Sequence, residues 1–253
     1  MGNSKSILTF KVLSALLSYP EAELIKAVPE MRRALDRERL IPAPQRVALD
    51  GFLDEIEASD LYDLQERYVQ LFDRSRTLSL HIFEHVHGES RDRGQAMIDL
   101  GAVYQQGGLA MRPGELPDFL PLLLEYCSTL PLEAAREFLG QPAHILAALA
   151  ERLRKRESSY EPVLRAIGAI ADAELRQADL DAIMSEEEAD PNDFAALDAA
   201  WEEEAVSFGP GASGLGAQSA IGGCGTDALA ARMRHAKRAV STADNPSSPG
   251  AAS

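Results

Sequence analysis

No run of this chain reaches the roughly 20 apolar residues that a membrane-spanning helix needs. Its most apolar stretch, Leu116 to Tyr126, is broken by Pro117, Asp118, Pro121 and Glu125. No small-residue cleavage site follows the amphipathic opening, so no secretory leader is expected, and the Met1–Ser6 match to a myristoylation pattern stands alone. Cysteine is scarce. Cys127 and Cys224 allow at most one disulfide; Cys127 sits among Leu123, Leu124, Tyr126 and Leu130 and reads as a core thiol. The expectation is a cytoplasmic protein in a reducing compartment, with no direct membrane insertion. A concentrated positive face is also missing. The net charge of −15 argues against nucleic acid, whose phosphates require clustered Lys and Arg. The glycines from Gly211 to Gly225 lack the Lys-Ser or Lys-Thr of a phosphate-binding loop, and no strand-like alternation stands out.

What the chain does have is Ala, Leu and Glu, which lose little freedom in a helix. Apolar residues recur at helical spacing. Ile7, Leu8, Phe10, Val12, Leu13, Leu16 and Leu17 form a first face stopped by Pro20. Leu24, Ile25, Val28, Met31 and Leu35 predict a second helix, kinked at Pro29, and Pro44 opens a third with Val47, Phe52, Leu53 and Ile56. Asp60 is the expected N-cap of a fourth, with Leu61, Leu64, Tyr68, Leu71 and Phe72 on one side. A helix from about Ser90 buries Met97, Leu100, Val103 and Tyr104 and stops at Gly107-Gly108. Leu116–Leu130, Leu132–Leu139, Ile145–Arg156 and Val163–Leu175 complete the set. The fold expected is all-α, a single-domain helical bundle over residues 1–176.

Beyond it the composition changes. Residues 177–208 form an acidic segment with one short helix near Leu197 and Trp201, and 209–253 a Gly/Ser/Pro-rich, largely disordered tail. Eleven acidic residues and no Lys or Arg lie between Asp179 and Glu204, so this segment carries most of the net charge. It reads as a solvated face or as a steering surface for a basic partner. The basic run Arg152–Arg156 suits the C-terminal end of a helix dipole, and Arg232, Arg234, Lys237 and Arg238 form a second patch.

The densest polar cluster is His81-Ile82-Phe83-Glu84-His85-Val86-His87-Gly88-Glu89, followed by Ser90-Arg91-Asp92-Arg93. His81 and His85, four apart, would share a helical face and could hold zinc with Glu84 or His87, although the metalloprotease spacing is absent. The same residues could instead hydrogen-bond two helices together or line a partner-binding groove. No pairing for a Cys-His nucleophile is evident. Three functions stay open on residues alone: a binding protein, an adaptor using the acidic segment, and a metal-dependent hydrolase using His81, His85 and His87.

Tyr68-Val69-Gln70-Leu71-Phe72-Asp73-Arg74 and the run from Phe83 to Met97 closely resemble the respiratory nitrate reductase delta subunit family of molybdenum-cofactor assembly chaperones. Leu116-Pro117-Asp118-Phe119-Leu120, with Glu125, is similar to a motif of the wider TorD-like redox-enzyme chaperones; Phe119 stands where that motif usually has His. Arg156–Tyr160 and Ala200–Glu204 also resemble this family, and the likeness spans roughly residues 7 to 208. It implies an all-helical, non-enzymatic chaperone that binds the N-terminal segment of an apo catalytic subunit, that of nitrate reductase, while molybdenum cofactor is inserted. Molybdenum-cofactor biosynthesis proteins are further candidate partners, and no cofactor need stay bound to the chain. A basic, amphipathic ligand needs an apolar groove with acidic rims. The groove residues expected are Tyr68, Leu71, Phe72, Glu84, His85, His87 and Glu89, with Asp118, Glu125 and Tyr126 beside or beneath it. Asp118 doubles as a candidate N-cap, and Arg91 or Arg93 as an ion-pair partner of Glu84 or Glu89.

Overall fold

The computed structural model describes residues 6–87 and 91–173, with the isolated positions 180, 183 and 184. Among them are ten α-helices: α1 (Leu8–Leu16), α2 (Ala22–Glu38), α3 (Ala43–Ala58), α4 (Leu61–Tyr68), α5 (Glu84–His87), α6 (Arg91–Gln106), α7 (Leu120–Thr129), α8 (Leu132–Gly140), α9 (Ala143–Lys155) and α10 (Glu161–Ala171). The only extended pairing among the described residues is one antiparallel bridge, His81 to Phe119. The fold is all-α, as the periodicity predicts. No described helix is long and apolar enough to cross a membrane. Apart from positions 180, 183 and 184, the acidic segment and the Gly-rich tail, with Trp201 and Cys224, fall outside the described residues.

The short α1 sits at the centre, against α7 on one side and α2 on the other. Thr9, Phe10, Val12, Leu13, Ser14 and Leu16 are all buried, so nearly every face of this helix is covered. A buried helix must have its orphan N–H groups satisfied. Here Glu38, at the far end of α2, accepts from the Leu8 and Thr9 amides at 3.0 and 2.8 Å and from the Thr9 hydroxyl at 2.8 Å. A carboxylate at a helix N-terminus also suits the dipole. Ser14 donates to the Pro121 carbonyl at 2.8 Å and fixes α1 to the first turn of α7. On the other side α10 packs against α9, α3 and α8.

Several helix ends follow the sequence signals. Asp60 caps α4, accepting from the Tyr62 amide at 2.8 Å. After α6, Leu109 donates to the Tyr104 carbonyl and Gly108 to that of Gln105, both at 3.0 Å, with Gly108 at φ +83°. That is a Schellman closure, which needs a left-handed residue at this point. Gly107 is required for a different reason: a Cβ there would lie 2.4 Å from the buried Tyr126 ring.

α2 continues past Pro29, which lies inside the helix on its exposed side. Other expectations need correction. Val47 is 71% exposed and lies off the buried stripe of Leu49, Phe52, Leu53 and Ile56. The helix expected from Leu116 begins at Leu120, after a turn. Arg154 and Lys155 do stand exposed at the end of α9, but Arg152 turns inward and is fully buried. Its guanidinium donates to the carbonyls of Thr77 at 2.8 Å and Ile183 at 2.6 Å.

Candidate functional site

α4 passes directly into a π turn over Val69–Asp73, where the Arg74 amide reaches back five residues to the Val69 carbonyl at 3.1 Å. The turn keeps Tyr68 and Phe72 on the inner side, with ring centroids 5.0 Å apart, and both pack on Tyr160. The Tyr68 hydroxyl donates to the Leu17 carbonyl at 3.0 Å, and burial pushes its pKa well above the ordinary value. Tyr126 is equally enclosed, between Tyr104 and Phe138, and burial raises it to about 12. These three aromatics are core. Leu71 is half-buried and packs against the same cluster.

The His81–Arg93 region forms a buried polar knot around Asp118, whose side chain is fully enclosed. Its Oδ1 lies 3.0 Å from His81 Nδ1, and its Oδ2 accepts from the Phe83 amide at 3.2 Å. Two backbone bonds brace the pairing: Ile82 donates to the Asp118 carbonyl at 3.0 Å, and Leu120 to that of Leu80 at 2.9 Å. Asp118 therefore does not cap α7, where Phe119 occupies the cap position; the bridge turns its carboxylate toward residues 37 and 35 positions earlier. Arg93 donates to Glu84 at 3.1 Å and lies 3.9 Å from Asp118, so the expected Arg93–Glu84 pair is present. The hydrogen bond to Asp118 raises the pKa of His81, outweighing burial, which lowers it. Burial alone would raise Glu84, but hydrogen bonds from Ser79 and Arg93 leave it below the usual value.

His85 is buried, with Nε2 2.8 Å from the Ser79 carbonyl. His81 precedes α5 and points to Asp118, so the two imidazoles do not share a helical face. Among the described residues no three His, Cys, Asp or Glu side chains gather as metal ligands. Glu89 and the side chain of His87 fall outside the described residues.

Beside this knot opens a cleft of about 570 Å³, between α1, the start of α2, the 110–115 loop and α7. Its inner wall is apolar: Ala15, Leu24, Ala27, Met31, Phe119, Pro121 and Leu122. Its lip carries Glu21, Glu23, Glu115 and Glu125 against Lys11 and Arg112. The volume falls within the range of ligand pockets. A shallower recess of about 410 Å³, which includes Val69 and Gln70 of the π turn, lies on the other side of Tyr19. Of the eight expected groove residues whose side chains are described, only Glu125 lines the main cleft. Phe119 links the two regions, since its ring stacks on His81 at 5.2 Å and also forms part of the cleft wall. Sequence reasoning missed Tyr19, Glu21, Glu23 and Leu24. A detectable signal was an aromatic and two acids set immediately around Pro20, where a helix pair must turn.

An all-helical body with an open cleft, apolar within and acidic at the lip, has the features of a helical protein-binding module. The chain belongs to the nitrate reductase delta subunit family, whose model matches residues 29–166. It is 43% identical over 229 residues to the nitrate reductase molybdenum cofactor assembly chaperone NarJ of Escherichia coli (strain K12), covering 90% of this chain and 92% of that protein. It is 43% identical to NarW of the same strain over 78% of this chain and 82% of that protein. NarJ of Bacillus subtilis (strain 168) is 31% identical over 66% of this chain and 90% of its own length.

Proposed function

We propose that this chain is a cytoplasmic, non-catalytic assembly chaperone for a respiratory nitrate reductase. In this reading it grips the N-terminal segment of the apo catalytic subunit and keeps that subunit available while molybdenum cofactor is inserted, before membrane docking. The observation that carries the reading is the cleft between α1, α2 and α7, whose apolar wall and four glutamates suit a basic amphipathic segment. Glu125 acts at its lip. Tyr68 packs edge-on against Tyr19 of the cleft, and the Asp118 knot with Glu84 and His85 fixes the Phe119 wall. The family and its named relatives support nitrate reductase as the client.

The energetics suit an escort. Burying four or five apolar side chains contributes on the order of 6–15 kcal/mol gross. Ordering the segment offsets much of this, leaving roughly micromolar to nanomolar affinity. Titration calorimetry with a synthetic peptide of the client's N-terminal segment should show saturable binding that weakens as salt is added, because acidic rims steer a basic ligand. Equal capture of a catalytic subunit lacking that segment would reject the proposal.

A further inference from the structure

The chain contains a segment chemically matched to its own cleft. From Ala228 to Val240 it reads Ala-Leu-Ala-Ala-Arg-Met-Arg-His-Ala-Lys-Arg-Ala-Val. Leu229, Met233, Ala236 and Val240 recur at steps of four, three and four, the spacing of one apolar helical stripe. Arg232, Arg234, Lys237 and Arg238 add four positive charges with no acid among them. The cleft has the complementary features: an apolar wall including Leu24, Met31 and Leu122, and a lip where glutamates outnumber cations four to two.

We infer that residues 228–240 are an intramolecular occupant of this cleft, with the apolar stripe against its wall and the cations toward Glu21, Glu23 and Glu125, so that an incoming client segment must displace them. The occupancy stands on complementarity alone; its regulatory consequence rests on the proposed reading of the cleft as the client site. Ala228 lies 44 positions after Met184, so the intervening chain can span up to about 150 Å, while a body this size has a radius of gyration of only about 16 Å. Reach is therefore no obstacle. The acidic run Asp179–Glu204 is the rival counter-charge. Exposed ion pairs alone contribute little, whereas the cleft also buries Leu229 and Met233. A tethered ligand acts at an effective concentration on the order of millimolar, so an intrinsic dissociation constant near ~0.1 mM lowers apparent client affinity about tenfold.

The test uses the full chain with p-benzoylphenylalanine in place of Met233. Photolysis and peptide mapping should join that position to Leu24–Met31 or to residues 110–122. Crosslinks confined to residues 179–204, crosslinked dimers, or none to the cleft overturn the inference. A second full-chain variant, R232E/R234E/K237E/R238E, guards against a probe that disturbs docking. A synthetic 228–240 peptide should bind this variant about tenfold more tightly than it binds the unaltered chain; equal binding overturns the inference. A synthetic client N-terminal peptide should show the same tenfold gain. If it binds both chains equally, occlusion is wrong and the client reading survives. If it binds neither while the crosslinks map to the cleft, the client reading falls and the occupancy stands.

Discussion

The knot around Asp118 and the cleft beside it are both rich in charge, yet their charges do different work. In the knot every carboxylate described has a close partner: Asp118 has His81 and the Phe83 amide, and Glu84 has Arg93. In the cleft four glutamates face two cations across an open lip. A buried charge is tolerated only when paired, and losing one partner leaves the other stranded. An exposed charge contributes little to the fold but shapes the field a ligand meets. The first arrangement therefore serves stability and the second suits the recognition proposed above, with Phe119 forming the contact between them.

The largest expected effect breaks the knot. Asp118→Ala takes the carboxylate away from His81 and from the Phe83 amide, while Arg93 keeps Glu84, and should cost about 3–5 kcal/mol, read from urea unfolding. A loss below about 1 kcal/mol would show that the carboxylate is no structural hub. Next comes Gly107→Ala. Its Cβ would strike the Tyr126 ring, which is 1% exposed and cannot swing away. Overpacking of this kind should cost about 1–3 kcal/mol. Unchanged stability would mean that α6 can shift away from α7 at no cost.

The contrast also explains what the sequence could reveal. Helix faces such as Leu49, Phe52, Leu53 and Ile56 were legible because burial follows a local period, and Asp60 because a cap bonds two residues away. Tyr68 and Phe72 are expected to line a groove and Tyr126 to lie beside or beneath it, and all three are buried; periodicity gives the side of the helix, not whether protein or solvent lies opposite. Asp118 looked like a cap because its true partners are more than thirty residues upstream, and nothing in local spacing reports that pairing. The cleft was harder still. Glu21 and Glu23 are ordinary acids in an acidic chain, and become a rim only once α1, α2 and α7 are packed.

Reversing the rim sharpens the comparison from the other side. Glu21→Lys, Glu23→Lys and Glu125→Lys together should leave unfolding nearly unchanged, since all three side chains are exposed and such sites usually stay within about 0.5 kcal/mol each. Peptide affinity should fall by roughly 10- to 150-fold at low salt, at about 0.5–1 kcal/mol per reversed side chain, and the deficit should shrink as salt rises. Unaltered affinity would place recognition elsewhere on the molecule.

The smallest effect is a pH dependence of the knot. Its charged and titratable members are His81, Asp118, Glu84 and Arg93. His81 has a folded pKa raised by Asp118, so protonated His81 stabilises the fold fully below its unfolded value of about 6.5, and this contribution is lost as pH rises through the folded value. Glu84 behaves oppositely. With its folded pKa lowered, it stabilises above its unfolded value of about 4.3 and loses that contribution as pH falls through the folded value. The knot should hold best in mildly acidic solution between the two. Because the His81 side chain is 30% exposed, solvent screens part of the effect. His81→Asn keeps a hydrogen-bond donor without a titratable ring. Urea unfolding from pH 5.5 to 8 should show a steeper decline in the unaltered chain than in this variant, and parallel profiles would mean that Asp118 holds the imidazole without favouring its charged form.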